Sequence, residues 1–148
     1  MTMEPCPTEH KEQVRIFRWA DLYSDQFPAL NMLFAIPNGS YKSKQSARKF
    51  AAEGLKSGVP DICLPVPSAD GQYHSLFIEL KKQKGGKVSD AQMEWIGSLQ
   101  FYGNMATVCR GADEAIDVIE SYLDINPELF IKLSTAQKTV KSRRQLSD

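Results

Sequence analysis

Apolar residues recur along the chain with two alternating periods, and the order of these periods predicts the fold. Steps of three and four residues from Glu12 to Phe27 predict a first helix with Thr8 as its N-cap, ending before Pro28. The apolar run from Leu30 to Pro37 then predicts a buried strand that ends in a Pro-Asn-Gly turn.

A second helix and a hairpin follow. An apolar stripe at Ala47, Phe50, Ala51 and Leu55 predicts a helix that is apolar beneath and basic on top. Two further runs, 62–66 and 73–82, predict strands joined by a Gly-containing loop, which is typical of an antiparallel hairpin. A basic, flexible loop follows this hairpin.

The remaining pattern predicts a helix, a strand and a last helix. Ser89, with Gln92 three residues later, has the spacing of a capping box, and Gly103 ends that helix. Residues 105–109 predict a strand and residues 112–123 a helix with an acidic outer side. The order predicts an α/β fold in which helices flank a mixed central sheet.

Length and composition agree with one ordinary soluble domain. A chain of 148 residues can bury roughly 70% of the surface that its extended chain exposes, so it can form a core without disulfide bonds or a structural metal. Residues 1–125 are predicted to form the domain, and residues 126–148 a polar, partly basic C-terminal extension. Three cysteines without C-x-x-C spacing, and the lack of a signal peptide or a transmembrane run, favour a cytoplasmic location and no membrane partner.

The sequence lacks the residues that several kinds of binding site and active site require. No Gly-rich phosphate loop of the dinucleotide or P-loop type is present. With only His10 and His74, histidine-based metal sites also lack ligands. The candidate chemistry therefore has to come from other residue types.

The candidate site is carried by the predicted hairpin. Glu79 and Lys81 are two residues apart in a strand, so their side chains leave the same face. Asp61 begins the partner strand, which can bring it beside Glu79. Neighbouring carboxylates repel each other unless a proton or a cation intervenes, and oxygen ligands suit Mg²⁺ or Mn²⁺. A lysine beside such an ion fits phosphodiester hydrolysis.

These residues lie in recognisable motifs. Pro60-Asp61 followed by Glu79-Leu80-Lys81 resembles the signature of the PD-(D/E)XK nucleases, and Gly58-Val59-Pro60-Asp61 resembles its VRR-NUC branch. Pro37-Asn38-Gly39, Arg48, and the Ser89, Gln92, Trp95 series fit the same pattern, which extends over about residues 9 to 123. The resemblance implies a restriction-endonuclease-like core.

The resemblance also implies a function and a set of roles. Asp61, Glu79 and the Leu80 carbonyl would be metal ligands, and Lys81 the catalytic lysine. Gln92 would be an additional active-site residue, as would a first-helix glutamate, here Glu12. Small stand-alone members resemble those of phages and bacteria, and the family includes homodimers that cut branched DNA such as four-way (Holliday) junctions.

Structural alternatives stay open for each of these residues. Asp61 also fits a simple turn, and Glu79 with Lys81 also fits an exposed charge pair. Gln92 also fits a capping box. Glu9 lies within one turn of Glu12, so the spacing alone does not decide which of the two is the first-helix glutamate.

Opposite charges occupy different segments, although the formal net charge is zero. Residues 42–56 hold five basic residues and one acidic residue, whereas residues 113–124 hold five acidic residues and no basic one. Predicted DNA contacts flank the candidate site: Lys42, Lys44, Arg48, Lys49, Lys82, Lys84 and Lys87.

The sequence therefore predicts a Mg²⁺- or Mn²⁺-dependent DNA endonuclease, acting as a homodimer on branched DNA. The alternatives are a monomeric nicking or flap-type nuclease and, in another class, a non-catalytic nucleic-acid-binding module.

Overall fold

A four-stranded mixed sheet organises the protein, as seen in a computed structural model that describes residues 4–37 and 43–127. The strands are β1 (Phe34–Ala35), β2 (Ile62–Leu64), β3 (Leu76–Lys81) and β4 (Met105–Arg110). The helices are α1 (Glu9–Tyr23), a 3₁₀ helix (Pro28–Met32), α2 (Lys44–Ala52), α3 (Asp90–Phe101) and α4 (Ala112–Leu123). Among these residues no helix is long and apolar enough to cross a membrane.

The strands follow chain order across the sheet, β1-β2-β3-β4. The first two pairings are antiparallel and the β3 to β4 pairing is parallel. The predicted hairpin is therefore confirmed, and α3 forms the crossover that a parallel pair requires.

Helices α1 and α4 pack together against β3, where Ile16, Ile78, Leu80 and Ile119 are almost fully buried. Helix α3 packs mainly on β4. Cys63 and Cys109 lie in the core, where burial raises the pKa of their thiols to about 11 and about 12.

Two predicted elements differ from the structure. The strand predicted over residues 30–37 is shorter: residues 28–32 form a 3₁₀ helix, and within the predicted range only Phe34 and Ala35 pair in the sheet. Pro28 stands at the start of that helix, where its fixed φ suits the first turn. Helix α2 forms as predicted, but it buries none of its residues and Phe50 is 37% exposed, so its apolar stripe is not part of the core.

Some predictions concern residues outside the described ranges. They include Lys42, the Asn38-Gly39 part of the turn, and most of the C-terminal extension.

Gly58 of the Gly-Val-Pro-Asp motif lets the chain approach α3 closely. Its φ is +85°, and a Cβ there would lie 2.7 Å from the backbone carbon of Ala91. Left-handed strain and a backbone clash add together, so Gly58→Ala should lower the free energy of unfolding by about 3 kcal/mol. Urea denaturation would measure this loss.

Gly71→Ala is the matched control for Gly58→Ala. Gly71 also has a left-handed φ of +73°, but a Cβ added there would meet no atom within 4 Å beyond its chain neighbours. The expected loss is therefore only about 1 kcal/mol. Equal losses of stability in the two variants would mean that the close contact of the added Cβ with Ala91 does not destabilise the fold.

Candidate active site

The first part of the site is built by the β2 and β3 pair. Ile62 pairs with Ile78, so one further step in the antiparallel register sets Asp61 opposite Glu79. The amide N–H of Leu80, the residue after Glu79, donates to Asp61 Oδ2 at 2.7 Å. Asp61 is half-buried, and its carboxylate is thereby fixed at the edge of the strand pair.

Glu79 and Lys81 form a buried pair, not an exposed one. Glu79 is 2% exposed and Lys81 8% exposed, and Lys81 Nζ lies 3.1 Å from Glu79 Oε1. Ile78 and Leu80 alternate with them and face the core on the other side of the strand. Burying a charged pair is costly unless further bonds compensate, so this placement points to chemistry.

Gln92 caps a helix and also contacts Glu79. Its Oε1 accepts the Ser89 amide N–H at 2.8 Å, which completes the capping box at the start of α3. Its Nε2 donates to Glu79 Oε1 at 2.6 Å. The side-chain oxygen of Gln92 therefore caps α3, and its side-chain nitrogen orients the Glu79 carboxylate.

The second oxygen of Glu79 is unsatisfied. Oε2 is buried and has no hydrogen-bond partner among the described residues. Burial first, and then the negative charge of Asp61, raise the pKa of Glu79 to about 7, against a partial lowering by Lys81. A cation or a proton at this oxygen would relieve both effects.

The first-helix glutamates occupy different places. Glu12 is 2% exposed, and its carboxylate accepts the amide N–H of Ala112 and the side-chain amide of Gln83. It thereby caps α4, whose N-cap residue Gly111 has no side chain to do so. Glu12 is thus a buried link between α1 and α4.

Glu9 faces the candidate site instead. It lines an open cleft of about 470 Å³ together with Asp61 and Leu80. Its negative charge contributes to the raised pKa of Glu79. The pattern of α1 placed Glu12 on the apolar stripe, but it did not show that this stripe would carry Glu12 into the core.

The predicted substrate-binding residues within the described ranges are exposed on two segments. Lys44, Arg48 and Lys49 lie on α2, and Lys82, Lys84 and Lys87 lie in the loop after β3. Among the described residues, no group of three or more His, Cys, Asp or Glu side chains could hold a metal ion. A cation here would therefore need backbone or water oxygens in addition to Asp61 and Glu79.

Comparisons with known proteins concern the same part of the chain. The sequence profile of the VRR-NUC domain matches residues 8–113. A solved structure described as a "VRR_NUC domain protein" is similar to this one with a TM-score of 0.69 and 30% sequence identity, over 82% of this chain and 93% of that chain. No match was found among curated proteins.

Proposed function

The chain belongs to the VRR-NUC family, whose members are generally nucleases, and we propose that it hydrolyses DNA phosphodiester bonds at Asp61, Glu79 and Lys81. The observation that carries the proposal is the buried, unsatisfied Oε2 of Glu79. Glu79 is also repelled by the negative charge of Asp61, and a divalent cation at this oxygen would offset both the burial and the repulsion.

The residues present fit Mg²⁺ or Mn²⁺. Carboxylate oxygens of Asp61 and Glu79, with the Leu80 carbonyl, would supply part of an all-oxygen set and leave positions for water and substrate. When bound, such an ion polarises the scissile phosphate and lowers the pKa of water.

The protein's own residues would position the reacting groups. Lys81 Nζ, held 3.1 Å from Glu79, can orient the attacking water and donate to the phosphate as negative charge develops. Water attacks phosphorus and gives up a proton to the solvent, the bond to one sugar oxygen breaks, and that oxygen takes up a proton from the solvent. Gln92 acts through Glu79 and is a positioning residue in this scheme.

We place Glu9, rather than Glu12, in the active-site role that the family resemblance implies for a first-helix glutamate. Glu9 borders the cleft with Asp61, whereas both carboxylate oxygens of Glu12 are engaged by Ala112 and Gln83. We assign Glu9 to the water shell of the site, and Glu12 to the support of α4.

Branched DNA and a homodimer complete the proposal. Two active sites related by a two-fold axis can make paired cuts across a junction. The zero net charge with separated basic and acidic segments favours recognition by substrate shape over general attraction to DNA. Lys44, Arg48, Lys49 and the lysines after β3 would contact phosphates.

The test uses supercoiled plasmid, linear duplex and a synthetic four-way junction with Mg²⁺, Mn²⁺ or EDTA. We expect metal-dependent cleavage, fastest on the junction, and a drop of about a hundredfold in Asp61→Ala because a cation ligand is lost. Asp117→Ala, an exposed carboxylate of α4, should cleave like the wild type.

Each part of the proposal has its own contrary outcome. Binding without metal-dependent, Asp61-dependent cleavage would favour a non-catalytic nucleic-acid-binding module. Equal rates on linear duplex and junction would contradict a branched substrate. A strictly monomeric species in light scattering would favour a nicking or flap-type nuclease.

A further inference from the structure

The loop between β3 and α3 carries three of the exposed lysines and is held at two points. We call residues 82–88 the lysine loop. Gln83 Nε2 donates to Glu12 Oε1 at 3.0 Å, near the start of the loop. At its centre, Arg110 Nη1 donates to the Gly85 carbonyl at 2.5 Å and Nη2 to the Gly86 carbonyl at 3.2 Å.

Arg110 is placed for this contact by the sheet. It is the last residue of β4 and pairs in parallel register with Lys81. Its own amide N–H donates to Glu114 Oε2 at 2.7 Å, and the next amide, of Gly111, donates to the Lys81 carbonyl at 2.8 Å. The backbone on which the guanidinium stands is therefore fixed to the same strand that carries Glu79 and Lys81.

The two glycines make the contact possible. Gly85 and Gly86 have φ values of +76° and +75°, a conformation that costs little only for glycine. A Cβ at Gly86 would lie 3.6 Å from Lys81 Cδ and 3.7 Å from Glu9 Oε1. The loop is thus held directly over the Lys81 stem and beside the cleft glutamate.

We propose that Arg110 is a positioning residue that fixes the lysine loop in the conformation that receives the phosphate backbone of the substrate. A planar guanidinium can bind two successive carbonyls at once, which a lysine ammonium cannot do with the same geometry. A loop that is already ordered loses less conformational entropy when the substrate binds, which increases the affinity. This inference rests on the proposed nuclease function and adds a residue that determines substrate affinity.

The test compares Arg110→Lys, which keeps the charge but loses the fork, with Arg110→Met, which loses both. We expect KM on DNA to rise about fivefold to tenfold in both variants, because a charge-assisted hydrogen-bond pair is lost. The value of kcat should stay within about twofold, since Lys81 keeps its contact with Glu79. Arg15→Lys and Arg15→Met, at an exposed arginine paired with Asp113 on the α1 and α4 side, serve as controls.

A second readout follows the loop itself without substrate. A protease that cuts after lysine should cleave at Lys84 and Lys87 faster in both Arg110 variants than in the wild type or the Arg15 variants, with sites identified by mass spectrometry. Thermal melts monitored by circular dichroism check folding. If Arg110→Met does not fold, Arg110→Lys, which keeps the stem and the charge, carries the test.

The outcomes separate the competing explanations. Unchanged KM and unchanged loop cutting in both variants would overturn the proposal. A rise in KM for Arg110→Met alone, with a salt slope reduced by about one, would overturn it as well, because Arg110 would then contact phosphate itself. If the wild type neither binds nor cuts DNA, the nuclease proposal and the effect on KM both fail, while faster loop cutting would still show that Arg110 holds the loop.

Discussion

Glu79→Gln is expected to abolish cleavage while making the protein more stable in EDTA above neutral pH. Gln cannot supply an anionic ligand at the unsatisfied Oε2 position, so the cleavage rate should fall by at least about a thousandfold. The same change removes a buried negative charge that lies close to Asp61 and Glu9. Activity and stability therefore move in opposite directions.

The pH dependence of this stability follows from the raised pKa of Glu79. Its pKa is about 7 in the folded protein and 4.5 for the unconstrained group, so the folded state binds the extra proton. The stability that protonated Glu79 contributes in EDTA is then fully present below pH 4.5 and is lost as the pH rises through about 7. Above that pH the Gln variant should be more stable by about 2 kcal/mol.

Thermal melts in EDTA at about pH 5 and about pH 8 measure this difference. We expect similar melting temperatures at the lower pH, and at the higher pH a rise of about 4–8 °C in the variant. Glu94→Gln, on an exposed side chain of the helix that carries Gln92, controls for a general effect of charge removal. A pH-independent difference between wild type and Glu79→Gln would contradict the burial argument.

Lys81→Met should lower the rate of DNA cleavage by about a thousandfold, because the ammonium that we propose to stabilise the reacting phosphate is lost. Methionine keeps a flexible unbranched stem, so the packing beneath Gly86 is largely preserved. Lys81 is only 8% exposed, and we therefore expect the affinity for DNA to change little. Single-turnover rates with excess enzyme separate this loss from any effect on binding.

Lys11→Met supplies the matched control for Lys81→Met, since Lys11 is an exposed lysine of α1. It should cleave and bind like the wild type. A Lys81→Met protein that cuts at the wild-type rate under saturating conditions would remove Lys81 from the chemistry. A loss confined to affinity would move it to the DNA-contact surface.

The sequence predicts the strand pair at the site well because its pattern is local and unambiguous. Alternation in Leu76–Lys81 puts Glu79 and Lys81 on one face, and the Gly-containing connection favours antiparallel pairing of the β2 and β3 strands. The structure adds that both charged side chains are buried. This depends on α3 and the loops around it, which no periodicity within one strand can reveal.

The failures have equally specific causes. Five residues after Phe27 are too few for an apolar run to distinguish a 3₁₀ turn from a strand. Phe50 and its neighbours have helical spacing, but spacing alone does not determine how deeply a helix face is buried. On α1, Glu9 and Glu12 are one turn apart, so only the packing of α1 against α4 decides which one reaches the cleft.

Gln92 connects the start of α3 to the orientation of Glu79, and this limits which residues can occupy its position. A capping box accepts glutamate as readily as glutamine, so the helix alone would not choose between them. Glutamate would instead place a third carboxylate against Glu79 and remove the donor that now binds Oε1. Mutational tolerance at position 92 should therefore follow the electrostatics of its neighbour across the site and not the helix propensity of the substituted residue.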